Sequence, residues 1–275
     1  MSVINTNVKS IVAQNALAVN NRSLSKAMEQ LSTGKRINTA ADDAAGLAIS
    51  SRMTSQIRGL DQGVRNANDG ISMLQTAEGA TQEISNMLQR MRELAVQAAN
   101  DTYGTTDRTA IKTEVTELAS EITRISSNTQ WNGMSVLASA STYTFQVGSG
   151  SSSTSSIDVS FSTTMSASNL GVSSASLDLT SNTFAQASIS SIDTAISSVN
   201  TFRSTLGAKI NRLTSAADNL ANISMNTAAS RSRIEDADYA HATTELARAQ
   251  IIQQAGTAML AQANQQPQAV LSLLK

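Results

Sequence analysis

The stretch from Ile57 to Ala98, IRGLDQGVRNANDGISMLQTAEGATQEISNMLQRMRELAVQA, decides the fold class. Ile57, Leu60, Val64, Ala67, Ile71, Leu74, Thr81, Ile84, Leu88, Met91, Ala95 and Ala98 recur at alternating intervals of three and four, with one gap at Glu78. Such spacing gathers these side chains on one stripe of an α-helix, a heptad seam that another helix has to cover. At about 1.5 Å per residue the helix is roughly 60 Å long, about twice the width of a small domain. Asn100, Asp101 and Gly104 end it.

Further helices lie downstream. Ile111, Val115, Leu118, Ile122 and Ile125 form the stripe of a helix from about Thr106 to Ser127, and Asn132-Gly133 closes that region with a turn. Ile189, Ile192, Ile196, Val199, Leu206, Ile210, Leu213, Ala217 and Leu220 make another long seam, flawed only around Phe202 and Arg203. Three such helices bury their stripes against each other without a globular head, so the expected fold is mainly α: a long antiparallel helical bundle or coiled-coil rod with a small β-hairpin.

Composition agrees. The 275 residues are 40% hydrophobic but only 3% aromatic, the apolar side chains being chiefly Ala, Leu, Ile, Val and Met, as long packed helices require. The absence of cysteine excludes disulfide scaffolds, thiolate metal sites and cysteine nucleophiles. A formal net charge of −1 argues against nucleic acid as a partner, because neutralising phosphates takes clustered Lys and Arg. No run approaches the length of apolar sequence that spans a bilayer, so no membrane insertion is expected. Asn5, Thr6, Asn7, Lys9, Gln14 and Asn15 break up the first apolar residues, leaving no secretory h-region and pointing to a cytoplasmic chain or one exported without a cleaved signal peptide.

Between the helical blocks the chemistry changes. Of the 38 residues 151–188, 19 are Ser or Thr, and no Lys or Arg occurs between Arg124 and Arg203. Tyr143, Phe145 and Val147 alternate with polar residues, as do Ile157, Val159 and Phe161, around a Gly/Ser-rich connection, which predicts a β-hairpin. For residues 162–188 composition leaves extended surface structure and a flexible loop equally open. At the ends, Ile4, Val8, Ile11, Val12, Leu17, Val19, Leu24, Met28 and Leu31 form one weak stripe; Leu246, Ile251, Ile252, Met259, Leu260, Ala263, Val270, Leu271, Leu273 and Leu274 form another. Both are interrupted by Asn and Gln, and two such helices alone bury little apolar surface. They need additional partners.

Three longer motifs carry a resemblance that spacing does not supply: LSTGKRINTAADDAAGL from Leu31 to Leu47, SRSRIEDADY from Ser230 to Tyr239, and AQANQQPQAVLSLL from Ala261 to Leu274. In this order they resemble bacterial flagellin, the subunit of the flagellar filament. The resemblance implies an inner, channel-lining helical domain from residues 1–38 and 234–275, and an outer core domain from residues 39–233 containing the hairpin and the Ser/Thr-rich segment 139–188. It implies a self-assembling structural protein with no enzyme activity and no cofactor, placed outside the cell in the flagellar filament. The implied partners are other copies of the chain, an export chaperone at the apolar C-terminus, hook-filament junction and cap proteins, and a host Toll-like flagellin receptor. Transit of an unfolded chain through the flagellar type III apparatus would suit zero cysteine and the single proline, Pro267.

Site residues follow from the same resemblance. Gln89, Arg90, Leu94 and Gln97, with Ile111 and Glu114 on the adjoining helix, match the flagellin patch read by that receptor. At 100° per residue Arg90, Leu94 and Gln97 fall away from the seam and are expected to be unburied. Arg231, Arg233, Glu235, Asp236 and Asp238 form a charge cluster at the join of inner and outer segments, where the resemblance implies subunit contacts; Val270, Leu271, Leu273 and Leu274 end the C-terminal assembly stripe. No catalytic or metal residues are expected: His241 and Glu245 lie four apart but make no H-E-x-x-H motif, and Gly34-Lys35-Arg36 and Gly148-Ser-Gly150 lack phosphate-loop spacing. Asp42-Asp43 directly precede an apolar helical run and read as a helix start. A hook-filament junction protein and a soluble helical binding module are the alternatives, the completeness of the last two motifs favouring flagellin.

Overall fold

A computed structural model describes residues 6–150, 152–161 and 164–272, with side chains described as far as Gln265 apart from Ser153. The chain divides into two compact units, residues 58–224 and residues 1–57 with 225–275. Long helices dominate both, as the seams predict: α1 (Val8–Thr33), α2 (Ala44–Ala98), α3 (Thr105–Asn128), α4 (Asn182–Glu235) and α5 (Tyr239–Ser272).

In the unit of residues 58–224, α2 and α4 run antiparallel. Asp61 accepts from Ser224 at 2.8 Å, Glu78 pairs with Arg203 at 2.9 Å, and Arg92 with Asp193 at 2.6 Å. The main buried stripe of α2 within this unit is Leu60, Gly63, Ala67, Gly70, Leu74, Ala77, Thr81, Ile84, Leu88, Met91, Ala95 and Ala98. This seam is continuous, and it corrects the sequence reading in two places. Val64 and Ile71 are only half-buried beside the true seam residues Gly63 and Gly70, and no gap exists at Glu78 because Ala77 fills the position. Glycine is used there because the hairpin lies directly on the helix. A Cβ on Gly63 would stand 3.0 Å from the Val147 carbonyl oxygen, and one on Gly70 would stand 3.0 Å from the Phe145 ring.

The hairpin pairs β3 (Ser141–Gln146) with β4 (Ser156–Phe161), Tyr143 opposite Val159 and Phe145 opposite Ile157. Its inward ring, Phe161, packs edge-on to Tyr143 at 5.6 Å and tilted to Phe202 at 5.9 Å. The flaw in the α4 seam is therefore occupied: Phe202 meets the hairpin, and Arg203 answers Glu78. A smaller hairpin, β1 (Gln130–Trp131) with β2 (Met134–Ser135), turns through Asn132 and Gly133, both at positive φ, as Asn-Gly demands.

Arg108 finishes α2. Its guanidinium donates to the Ala98 carbonyl at 3.0 Å, at the last turn of the helix, and to the Asn100 carbonyl just beyond it at 3.1 Å. Asp107 accepts from the Gly104 N–H at 3.1 Å and opens α3. In the Ser/Thr-rich segment, residues 164–181 are neither extended surface nor a loose loop. They make tight turns in which Met165, Ala167, Leu170, Val172, Leu177 and Leu179 are buried, and α4 begins at Asn182, ahead of the first seam residue the sequence marked.

In the other unit α1 and α5 pair antiparallel, and the pair is inside out. The least exposed positions, Ser10, Ala13, Leu17, Asn20, Leu24, Ala27 and Leu31 on α1 and Ala242, Leu246, Ala249, Gln253, Gly256, Leu260 and Ala263 on α5, keep the three-four spacing. Most are small or polar. The large apolar residues counted from the sequence as one stripe mostly lie off this seam: Val8, Ile11, Val12, Val19, Met28, Ile251, Ile252 and Met259 are exposed. Ile4, Leu273 and Leu274, with the side chains of Val270 and Leu271, lie outside the described residues.

Candidate assembly and recognition surfaces

The α1/α5 pair is aligned by amides and close packing. Asn7 donates to the Ala263 carbonyl and Asn20 to the Ala249 carbonyl, each at 2.8 Å, while Gln253 donates to Asn21 Oδ1 at 3.2 Å. A helix carbonyl keeps a second lone pair after its own helical bond, so these contacts break none in α5. Leu17 lies against Gly256, where an added Cβ would be 3.1 Å from Leu17 Cγ. With the backbones this close, the larger side chains are directed outward. Val8, Val12 and Met259 line a shallow groove along the pair.

Where α1 ends, the two chain segments are clasped together. Gly34 takes the left-handed conformation, φ 69°, and caps α1 through its N–H to Gln30. Arg36 N donates to the Glu235 carbonyl at 2.7 Å and Ala237 N to the Gly34 carbonyl at 3.0 Å, a two-bond antiparallel bridge with Lys35 opposite Asp236. The Lys35 ammonium pairs with Glu235, the Arg36 guanidinium donates to the Ile234 carbonyl at 2.6 Å, and Tyr239 hydroxyl donates to the Leu31 carbonyl at 3.2 Å.

The expected assembly cluster thus has work inside the subunit. Glu235 binds Lys35 and lies 3.9 Å from Arg231, which also donates to Thr54 at 3.2 Å. Asp236 accepts from Ser232 at 2.5 Å, and Asp238 caps α5 through the N–H groups of Ala240 and His241. Arg233 is exposed. Sequence reading missed Lys35, Arg36 and Tyr239, because the bonds they make are largely to main chain and leave no spacing pattern. Beside the clasp, Asp43 opens α2 by accepting from Gly46 N at 2.8 Å. Asp42 pairs with Lys26 at 2.8 Å and accepts from the Thr39 and Asn38 N–H groups; Lys26 first, then Thr39, holds its carboxyl well below the usual carboxylate range.

The residues expected to form a receptor patch are only partly on the surface. Arg90 is exposed and pairs with Glu114 at 2.9 Å and Glu93 at 3.1 Å, Glu114 being the larger influence that raises its pKa. Gln89 is exposed, and Gln97 donates to the Tyr103 hydroxyl at 3.1 Å. Leu94, expected to be unburied, is 2% exposed, and Ile111 is 8% exposed. The expectation assumed one buried stripe. On α2 a second stripe, Met73, Ala80, Met87 and Leu94, repeats every seven residues next to the main seam and packs into the same core, with α3 alongside through Arg90 and Glu114.

His241 is exposed, and Glu245 pairs with Arg248 at 2.7 Å. Among the described residues no group of three or more His, Asp or Glu side chains is placed to hold a metal ion, and no helix is long and apolar enough to cross a membrane.

Residues 4–142 match the bacterial flagellin N-terminal helical region and residues 189–274 the bacterial flagellin C-terminal helical region. The chain is 47% identical to a flagellin of Halalkalibacterium halodurans, over 99% of this chain and 100% of that one. It is 41% identical to a flagellar filament 33 kDa core protein of Treponema phagedenis, again over 99% and 100%. Among solved structures, that of Bacillus cereus flagellin is similar over 57% of this chain and 88% of that one, at 32% identity and a TM-score of 0.49. A fold of long seamed helices with paired ends, matched at both ends by the family's two helical regions, places the chain in the bacterial flagellin family.

Proposed function

We infer that the chain is a structural subunit that polymerises with copies of itself into the bacterial flagellar filament, the helical tube used for swimming. The carrying observation is the inside-out terminal pair. Val12 is 61% exposed, Ile251 67% and Met259 66%, while Ser10, Asn20 and Ala249 are buried between the helices. An isolated subunit has no use for this arrangement; copies stacked head to tail around an axis cover the outward faces on both sides. The two relatives at 47% and 41% identity are named as a flagellin and a flagellar filament core protein, and neither points to the junction-protein alternative.

In this reading residues 1–38 and 234–275 form the inner domain and residues 39–233 the outer core. Val270, Leu271, Leu273 and Leu274 are the apolar residues that an export chaperone shields, the chain is exported to the flagellum outside the cell, and junction and cap proteins bound the two ends of the polymer. Gln89, Arg90, Gln97 and Glu114 present the face read by the host Toll-like flagellin receptor, with Leu94 and Ile111 supporting it from beneath.

The test is the double substitution Val12→Ser, Met259→Ser. Both side chains are exposed, so the melt of the soluble chain should stay within about 0.5 kcal/mol of the parent. Negative-stain microscopy at a concentration where the parent forms long filaments should show none. Filaments of normal abundance from the variant would remove the inference that these faces drive assembly.

A further inference from the structure

The seams of α1 and α5 each nearly repeat with a period of seven. On α5 the small residues Ala242, Ala249, Gly256 and Ala263 recur at that interval, and on α1 so do Leu17, Leu24 and Leu31. Sliding one helix along the other by one heptad, about 10 Å at 1.5 Å per residue, again sets leucines against small residues. Asn20 would then face the carbonyl of Ala242 or Gly256 instead of Ala249, an equally good acceptor. The seam therefore tolerates more than one alignment, and something outside it has to choose.

We propose that the clasp of residues 34–37 with 234–239 sets the register of the α1/α5 pair, Lys35, Arg36 and Tyr239 acting as positioning residues for the helices beyond them. Unlike the seam, the clasp has no repeat. It combines a glycine at positive φ, two main-chain hydrogen bonds between specified residues, the Lys35–Glu235 pair, and the guanidinium and phenol bonds to single carbonyls. Shifting the partner by seven residues loses all of these together. The helices pair outward from this fixed point towards the chain ends, which decides which exposed side chains of α1 stand beside which of α5. The assignment concerns the pair itself; only its consequence for polymerisation rests on the filament reading.

A cysteine-free chain makes the test direct. With Leu17→Cys and Gly256→Cys the two thiols fall within disulfide reach, given the 3.1 Å between an added Cβ at 256 and Leu17 Cγ. A seven-residue insertion duplicating residues 240–246 preserves the seam pattern but moves the rest of α5 away from the clasp. If the clasp decides, the thiol introduced by Leu17→Cys now joins one introduced by Ala249→Cys (parent numbering) in preference to the one from Gly256→Cys. If the seam decides, it still joins position 256. Duplicating residues 24–30 in α1 is the mirror experiment, with the thiol of Leu17→Cys expected to join that of Ala263→Cys, and it serves if the first chain folds poorly. Disulfides are trapped in the full-length soluble chain and in filaments seeded from parent protein, then mapped by mass spectrometry. Retention of the 17–256 disulfide in the inserted chains, equal trapping of both partners, or failure of 17–256 to form without an insertion overturns the proposal. Absence of parent filaments by microscopy counts against the filament reading instead and leaves the disulfide map of the soluble chain to decide the register.

Discussion

At the scale of single residues, charges here pair with each other and also hold main chain and helix ends in place. Asp42 is the clearest case, with Lys26 and the N–H groups of Asn38 and Thr39 around one carboxylate. Its pKa in the folded chain lies below the ordinary value, so its stabilisation is present in full above about pH 4 and is lost as the pH falls from there towards the depressed value. Thermal melts at decreasing pH should show the parent losing stability more steeply below about pH 4 than Asp42→Asn, which never had the carboxylate; parallel curves would mean that the loop is held otherwise. Arg90 is the second case. Arg90→Asp adds a carboxylate beside Glu93 and Glu114 without touching the core, so the soluble chain should fold as before yet activate the Toll-like flagellin receptor far less in a reporter-cell assay. Undiminished signalling by the folded variant would sink that assignment.

At the scale of elements, the helices and the hairpin were legible because large apolar residues recur with the right period, and the failures occur where small ones do the packing. Gly63, Gly70 and Ala77 belong to the α2 seam yet carry no hydropathy signal, so Val64, Ile71 and a gap at Glu78 stood in for them. Ser10, Asn20 and Ala249 escaped notice in the terminal pair for the same reason. Met165, Leu170 and Leu177 were diluted by surrounding serines, and their burial depends on a folded core that no local pattern reports. The clasp was invisible except as a cluster of charges, since main-chain bonds between residues 34 and 237 leave no mark on composition. Glycines give a direct check of this account. Around Gly79, also inside α2, nothing lies within 4 Å of an added Cβ, so Gly79→Ala should stabilise the chain by roughly 0.5–1 kcal/mol through reduced backbone entropy. Gly63→Ala, against the Val147 backbone, should destabilise it despite the same gain. Denaturant melts that move both variants in the same direction would show that the hairpin does not rest on Gly63.

At the scale of the whole molecule, the two compact units should differ in independence. Residues 58–224 enclose a core running through Leu74, Leu88, Phe161 and Leu206, whereas the α1/α5 pair buries few large side chains to set against about 1–2 kcal/mol of backbone entropy per ordered residue. In the free subunit the pair should form but open far more often than the core of residues 58–224, so that amide hydrogens before about Asn38 and after about Ile234 exchange faster than those of the core, and polymerisation should slow that exchange by orders of magnitude. Slow exchange at both ends of a verified monomer would show the pair to be stable alone. The inside-out pair also reverses the ordinary rule for improving a protein's solubility. Replacing exposed Val, Ile and Met with charged residues is normally harmless, but at Val8, Val12, Ile251 and Met259 it would make a better-behaved solute that has lost its adhesive faces. These surface positions therefore tolerate substitution as an interior does, and a mutational scan scored by swimming should find them as restrictive as Leu88, while a scan scored by expression should favour the very changes that swimming forbids.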